Sequence, residues 1–185
     1  MTLKLVNRLQ KIFHGHSSDA KSQRHIFVIG FNKTGTTSIH RLFKGNGFNS
    51  VHWDRNRLAK TMLKNCLNGK AVLHGYDKKY TVFCDMFYRN KKFFFEGNSL
   101  FRELSVDYPD ALFLYNTRDI DSWVKSRLNH HRKEQGIPFL DVFKQMLNTE
   151  DHDEIVQYWK KTRTRFEADI REFFKDKNNF LELDI

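Results

Sequence analysis

Three groups of residues carry types and spacings that can do chemistry. In Gly30-Phe31-Asn32-Lys33-Thr34-Gly35-Thr36-Thr37-Ser38 one lysine stands between two glycines, with three consecutive hydroxyl residues behind them. Successive backbone N–H groups of such a loop point into one concavity, and a helix starting behind it adds its positive end, so the stretch suits a phosphate or sulfate. Arg118 and Ser126 lie eight residues apart. An arginine in a turn and a serine two helical turns on can meet at one phosphate, where the planar guanidinium donates two hydrogen bonds at once. The third group consists of proton acceptors: Asp85 first, then His52 and His74, with Glu96 further from the argument. Imidazole titrates near neutrality, and His52 follows a strand expected to neighbour the loop.

The elements that must position these groups are legible in outline. Ile26-Phe27-Val28-Ile29 is a short β-branched and apolar run before the loop, and Ile39, Leu42 and Phe43 recur behind it at helical spacing, giving strand, loop, helix. That helix should end near Gly45-Asn46-Gly47. Phe48 to Trp53 predicts a second strand, and a right-handed β-α-β connection implies a parallel sheet. Asp54 is placed to cap a helix with Leu58, Met62, Leu63, Cys66 and Leu67 on its apolar stripe. Thr81-Val82-Phe83-Cys84 reads as a buried central strand delivering Asp85 to the carboxyl edge of the sheet, where open α/β sheets bind ligands. Ala111 to Thr117 is a nearly continuous apolar strand emitting Arg118, followed by a helix from Asp119 to Leu128 in which Trp123 reads as core. Two further helices, Pro138 to Leu147 and Asp151 to Phe174, and a strand at Phe180 to Ile185 complete the chain. The expected fold is a three-layer α/β/α domain with a mainly parallel sheet.

The loop resembles a P-loop, with one departure. A nucleotide triphosphatase has lysine directly after the second glycine; here Thr36 takes that position and the lysine is Lys33. Lys33-Thr34-Gly35-Thr36-Thr37 resembles the 5′-phosphosulfate loop of sulfotransferases that use 3′-phosphoadenosine 5′-phosphosulfate (PAPS), and Arg118 with Ser126 resembles their 3′-phosphate site. The resemblance covers about Ile26 to Leu128. It implies transfer of a sulfuryl group to a hydroxyl or amine of a small-molecule or carbohydrate acceptor, with adenosine 3′,5′-bisphosphate (PAP) as product and no metal. Lys33, Thr34, Gly35, Thr36, Thr37, Ser38, Arg118 and Ser126 would bind the donor; Lys33, with Asp85 or His52 as base, would act in catalysis. Two other readings stay open: a P-loop kinase holding ATP and Mg²⁺ through Asp85 and Thr37, and a non-catalytic nucleotide-binding module. Sulfotransferases usually continue past a strand such as Phe180–Ile185 into a helix and a basic loop, so the resemblance also implies a chain truncated at its carboxyl terminus, a short member or an inactive one.

Composition narrows the class. The 185 residues suit one domain over 25–185, preceded by a basic amphipathic segment and linker over 1–24. That segment has neither the apolar centre nor the cleavage site of a secretory signal. Cys66 and Cys84 have no metal spacing and read as reduced thiols of a cytoplasmic protein. No run of about 18 apolar residues predicts a transmembrane helix. The net charge of +10 is scattered, without a basic–aromatic nucleic-acid signature, and suits a polyanionic substrate better than nucleic acid.

Overall fold

Five short parallel strands form the centre of the molecule, in a computed structural model that describes residues 24–130 and 138–185. The amino-terminal segment and nearly all of its linker lie outside those residues. In spatial order the strands are β2 (Ser50–His52), β3 (Val82–Cys84), β1 (Ile26–Val28), β6 (Leu112–Thr117) and β7 (Phe180–Asp184). A separate antiparallel hairpin pairs β4 (Phe87–Arg89) with β5 (Phe94–Glu96). The architecture is thus the expected α/β one with a parallel central sheet. β3 lies between β2 and β1, however, so β2 does not neighbour the strand that carries the loop.

Side chains alternate across a strand, and the sheet accordingly divides its residues between two cores. Ile26, Val28, Val82 and Leu114 pack with Ile39 and Phe43 of α1 (Thr36–Gly45). Phe27, Phe83, Phe113 and Tyr115 enter a larger core on the opposite face. That core takes Met62 from α2 (Arg57–Leu67), Phe101 from α3 (Phe101–Asp107) and Trp123 from α4 (Ile120–Leu128). It also takes Phe139 from α5 (Phe139–Leu147) and Trp159 from α6 (His152–Phe174). Among the described helices α1 therefore covers one face while the others crowd the second. Trp123 is fully buried, as its helical spacing predicts.

Two local expectations are corrected. Asp54 does not cap α2. Trp53, Asp54, Arg55 and Asn56 all have positive φ, forming a left-handed turn that delays the helix to Arg57. Asp54 instead accepts hydrogen bonds from Arg57 Nη2 at 2.7 Å and Tyr76 Oη at 2.5 Å. The apolar stripe of α2 also ends early: Leu67 is 78% exposed and Cys66 faces solvent. Asn65 turns inward in their place, its Nδ2 donating to Val72 O and His74 O, both at 3.0 Å. Loop carbonyls that fold back against the helix need donors, and the amide supplies them where an apolar side chain cannot.

Candidate functional site

The carboxyl ends of β2, β3, β1 and β6 present, in that order across the sheet, His52, Asp85, the loop of residues 29–35 and Arg118. Parallel strands bring the residues at and just beyond their carboxyl ends to one edge, which is how positions 52, 85, 33 and 118 come together.

The loop is built by backbone conformation and by one asparagine. Lys33 and Gly35 have left-handed φ of 70° and 79°, and Gly35 leads into α1, whose first turn contains no acidic residue. The N–H groups of that turn have no acceptor inside the helix and are available to an anion. Asn116, fully buried in β6, accepts from Gly30 N at 3.1 Å and donates to Thr34 O at 2.6 Å and Thr34 Oγ1 at 2.7 Å. Gly30 permits this approach, because a Cβ there would lie 2.1 Å from the Asn116 carbonyl oxygen. At the other end of the loop, Ile185 Cδ1 stands 2.7 Å from where a Gly35 Cβ would be.

A cavity of about 200 Å³ opens over the loop, bordered by Lys33, Thr36, Thr37, Asp85, Arg118 and Ser126 among others. Of the donor-binding residues expected from sequence, Lys33, Gly35, Thr36, Thr37, Arg118 and Ser126 border it together. Thr34 does not: its hydroxyl turns under the loop to donate to Phe31 O at 2.5 Å. Ser38 is exposed in the first turn of α1 and does not border the cavity, so only its N–H faces the right way for an anion at the helix start.

The proton-accepting candidates separate clearly. Asp85, left-handed at φ 56° and buried, accepts from Thr36 Oγ1 at 3.2 Å through Oδ1 and faces His52 Nε2 at 3.4 Å through Oδ2. His52 Nε2 also stands 3.3 Å from both Thr36 Oγ1 and Thr37 Oγ1. Asp85 borders the cavity, whereas His52 does not. Burial, followed by the neighbouring His52, lowers the pKa of His40, whose ring centroid is 5.4 Å from that of His52. His74 is exposed after α2 and does not border the cavity. Of the two residues that a kinase-style metal site would use, Asp85 engages Thr36 and His52, and Thr37 contacts His52.

Arg118 is free of the helix-terminal ion pair that its sequence neighbours could offer. Asp119 caps α4 by accepting from Ser122 N at 2.8 Å, and Asp121 pairs with Lys160 at 2.6 Å. Arg118 Nη1 reaches Lys33 O at 3.4 Å. The end of β6 that carries it is fixed from α6. Arg163, 3% exposed, donates to Glu167 Oε1 at 2.8 Å, to Thr117 Oγ1 at 2.6 Å and to Arg118 O. Tyr115 Oη donates to the same Glu167 oxygen at 2.6 Å. Burial works to raise the Glu167 pKa, but the bonds from Tyr115 and Arg163 outweigh it and leave the carboxyl below its ordinary value.

Several of these residues escape sequence reasoning. Asn116 and Arg163 look unremarkable alone; the one signal was an amide inside an otherwise apolar strand, which must find partners. His130 borders the cavity with Nδ1 3.5 Å from Lys33 Nζ. Glu96 does not border the cavity. It pairs with the buried Arg127 at 2.9 Å, and burial pushes its carboxyl up to about 7 against the opposing pull of Arg127.

No helix among the described residues is long and apolar enough to cross a membrane. No curated protein matches the chain. A family model described as "Sulfotransferase domain" does match, over residues 25–183, a span that takes in the loop, Asp85, Arg118 and Ser126. The chain belongs to that sulfotransferase domain family.

Proposed function

We propose that this protein transfers the sulfuryl group of PAPS to a hydroxyl or amine of a small-molecule or carbohydrate acceptor by in-line displacement, releasing PAP. The observation that carries this reading is one cavity bordered at once by Lys33 and Thr36 of the loop, by Arg118 and Ser126, and by the carboxylate of Asp85. A loop with a free helix start and a separate arginine–serine pair suits a nucleotide with anionic groups at two ends.

In the reaction the bond between sulfur and the bridging oxygen of the 5′-phosphate breaks while the acceptor oxygen or nitrogen bonds to sulfur. Negative charge grows on the bridging oxygen, where the Lys33 ammonium and the N–H groups of residues 35–38 stabilise it from fixed positions, the Thr34 N–H being donated to Phe31 O. Arg118 and Ser126 hold the 3′-phosphate and so fix the line of attack. Asp85 takes the acceptor's proton, and His52 orients its second oxygen. Residues 25–185 form the catalytic domain in this reading. Two free cysteines fit a reducing compartment such as the cytoplasm.

Calorimetry with PAP tests the proposal. The wild-type chain is expected to bind with micromolar affinity without added metal, and Lys33→Ala and Arg118→Ala each to lose at least about tenfold, as expected for a hydrogen bond to a charged group. Unchanged affinity in both variants, or ATP binding that requires Mg²⁺ in place of PAP binding, would refute it. Asp85→Asn should retain PAP binding and lose transfer.

A further inference from the structure

Asn32 precedes the loop lysine and is 3% exposed, yet it borders the cavity. Its main chain and side chain are both clasped. Trp123 Nε1 donates to Asn32 O at 2.9 Å, and Arg127 Nε donates to Asn32 Oδ1 at 3.0 Å. Arginine carries donors only, so the carboxamide oxygen must face Arg127 and the amide nitrogen must face away from it. Arg127 has little freedom to shift. It is 2% exposed, its Nη2 is paired with Glu96 Oε1 at 2.9 Å, and its guanidinium lies 4.7 Å from the Trp123 ring centroid and 5.0 Å from that of Trp159. The Asn32 Nδ2 group, oriented in this way and shielded from water, has no acceptor among the described residues. A buried donor without an acceptor is destabilising, and native proteins keep such groups where something else will complete them.

We propose that Asn32 is a further donor-binding residue: Nδ2 donates a hydrogen bond to an anionic oxygen at the 5′ end of the sulfuryl donor, in an orientation preset by Arg127 and Glu96. An oxygen seated on the loop beside Lys33 supplies the acceptor that the amide lacks. The Glu96–Arg127 pair thereby gains a purpose beyond packing, because it ties the hairpin of β4 and β5 to the orientation of a binding group in the loop. The inference rests on the sulfotransferase reading above, and on its assignment of the loop to the 5′ end.

The test compares two ligands and two variants by calorimetry. PAP has a 5′-phosphate; adenosine 3′-monophosphate lacks it and engages only the Arg118 and Ser126 end. Asn32→Asp keeps an oxygen for Arg127 but replaces the donor with an acceptor, and Asn32→Ala removes the donor without adding charge. Both variants are expected to weaken PAP about tenfold or more and to leave adenosine 3′-monophosphate within about twofold, the size of a lost hydrogen bond to a charged group. Unchanged PAP affinity in both variants overturns the assignment of Asn32 alone. A parallel loss for both ligands also overturns it, since that is what a purely structural pin would give. Absence of PAP binding by the wild-type chain overturns this inference together with the reading on which it rests. If Asn32→Ala fails to fold, Asn32→Asp, which retains the Arg127 contact, carries the test.

Discussion

Truncating Asn116 to alanine should show how much of the site depends on one buried amide. The side chain makes three hydrogen bonds, from Gly30 N at 3.1 Å and to Thr34 O and Thr34 Oγ1 at 2.6 and 2.7 Å. In Asn116→Ala, Gly30 N–H and Thr34 C=O lose their partner in the interior, at about 1–3 kcal/mol each. Thr34 Oγ1 keeps its own bond to Phe31 O, so it adds little. The expected destabilisation is about 2–6 kcal/mol, a large share of the roughly 5–15 kcal/mol that holds a domain together. Equilibrium urea unfolding measures it, as a shift of midpoint at constant slope. PAP affinity should fall in the same variant, because Gly30 and Thr34 are the two ends by which β6 holds the loop. Asn116→Asp should be at least as damaging, since its second oxygen would face the Thr34 carbonyl at the position where the amide now donates. A loss below about 1 kcal/mol with full PAP affinity would refute the idea that Asn116 shapes the loop.

Other substitutions probe separate links. Gly30→Ala should not yield a soluble native fold, because its Cβ would fall 2.1 Å from the Asn116 main-chain oxygen; circular dichroism and soluble yield report this. Arg163→Met breaks a buried pair and leaves Glu167 with the more distant Arg171, 3.8 Å from its second oxygen, as its cation, so the cost should fall near the lower end of about 3–5 kcal/mol. It should also weaken PAP through Arg118 although Arg163 does not border the cavity, as calorimetry beside urea unfolding would show. Glu96 provides a pH test. Its folded pKa is raised by burial from the ordinary 4.5 to about 7, so between those values the native state binds the extra proton, and the stability contribution present below about 4.5 declines as pH rises towards 7. Glu96→Gln, which can still accept from Arg127, should flatten that decline; identical stability–pH curves for the two proteins would rule the effect out.

Local order determined a large part of this protein. The run Ile26 to Ile29, the glycines at 30 and 35 and the hydroxyl residues behind them specify strand, loop and helix start between positions 26 and 38, because each relies on backbone preferences and near neighbours. The apolar strand ending at Arg118 and the helix carrying Ser126 are legible for the same reason. Asp54 shows the limit of such reading: its type suits a cap, but the left-handed turn at Trp53 to Asn56 moved the helix start beyond it.

Tertiary structure decided the rest. Strand order cannot be read from apolar runs, since any of them could pair with any other, and it is the order β2-β3-β1-β6 that ranks His52, Asp85, Lys33 and Arg118 along one edge. The amide of Asn116, the clamp of Trp123 and Arg127 on Asn32, and the hold of Arg163 on Arg118 link residues 45 to 95 positions apart. Hydrogen bonds over such separations leave no periodic trace in sequence. They exist because burial removes water, and each polar group taken inside must then be met by whichever partner the fold brings within reach.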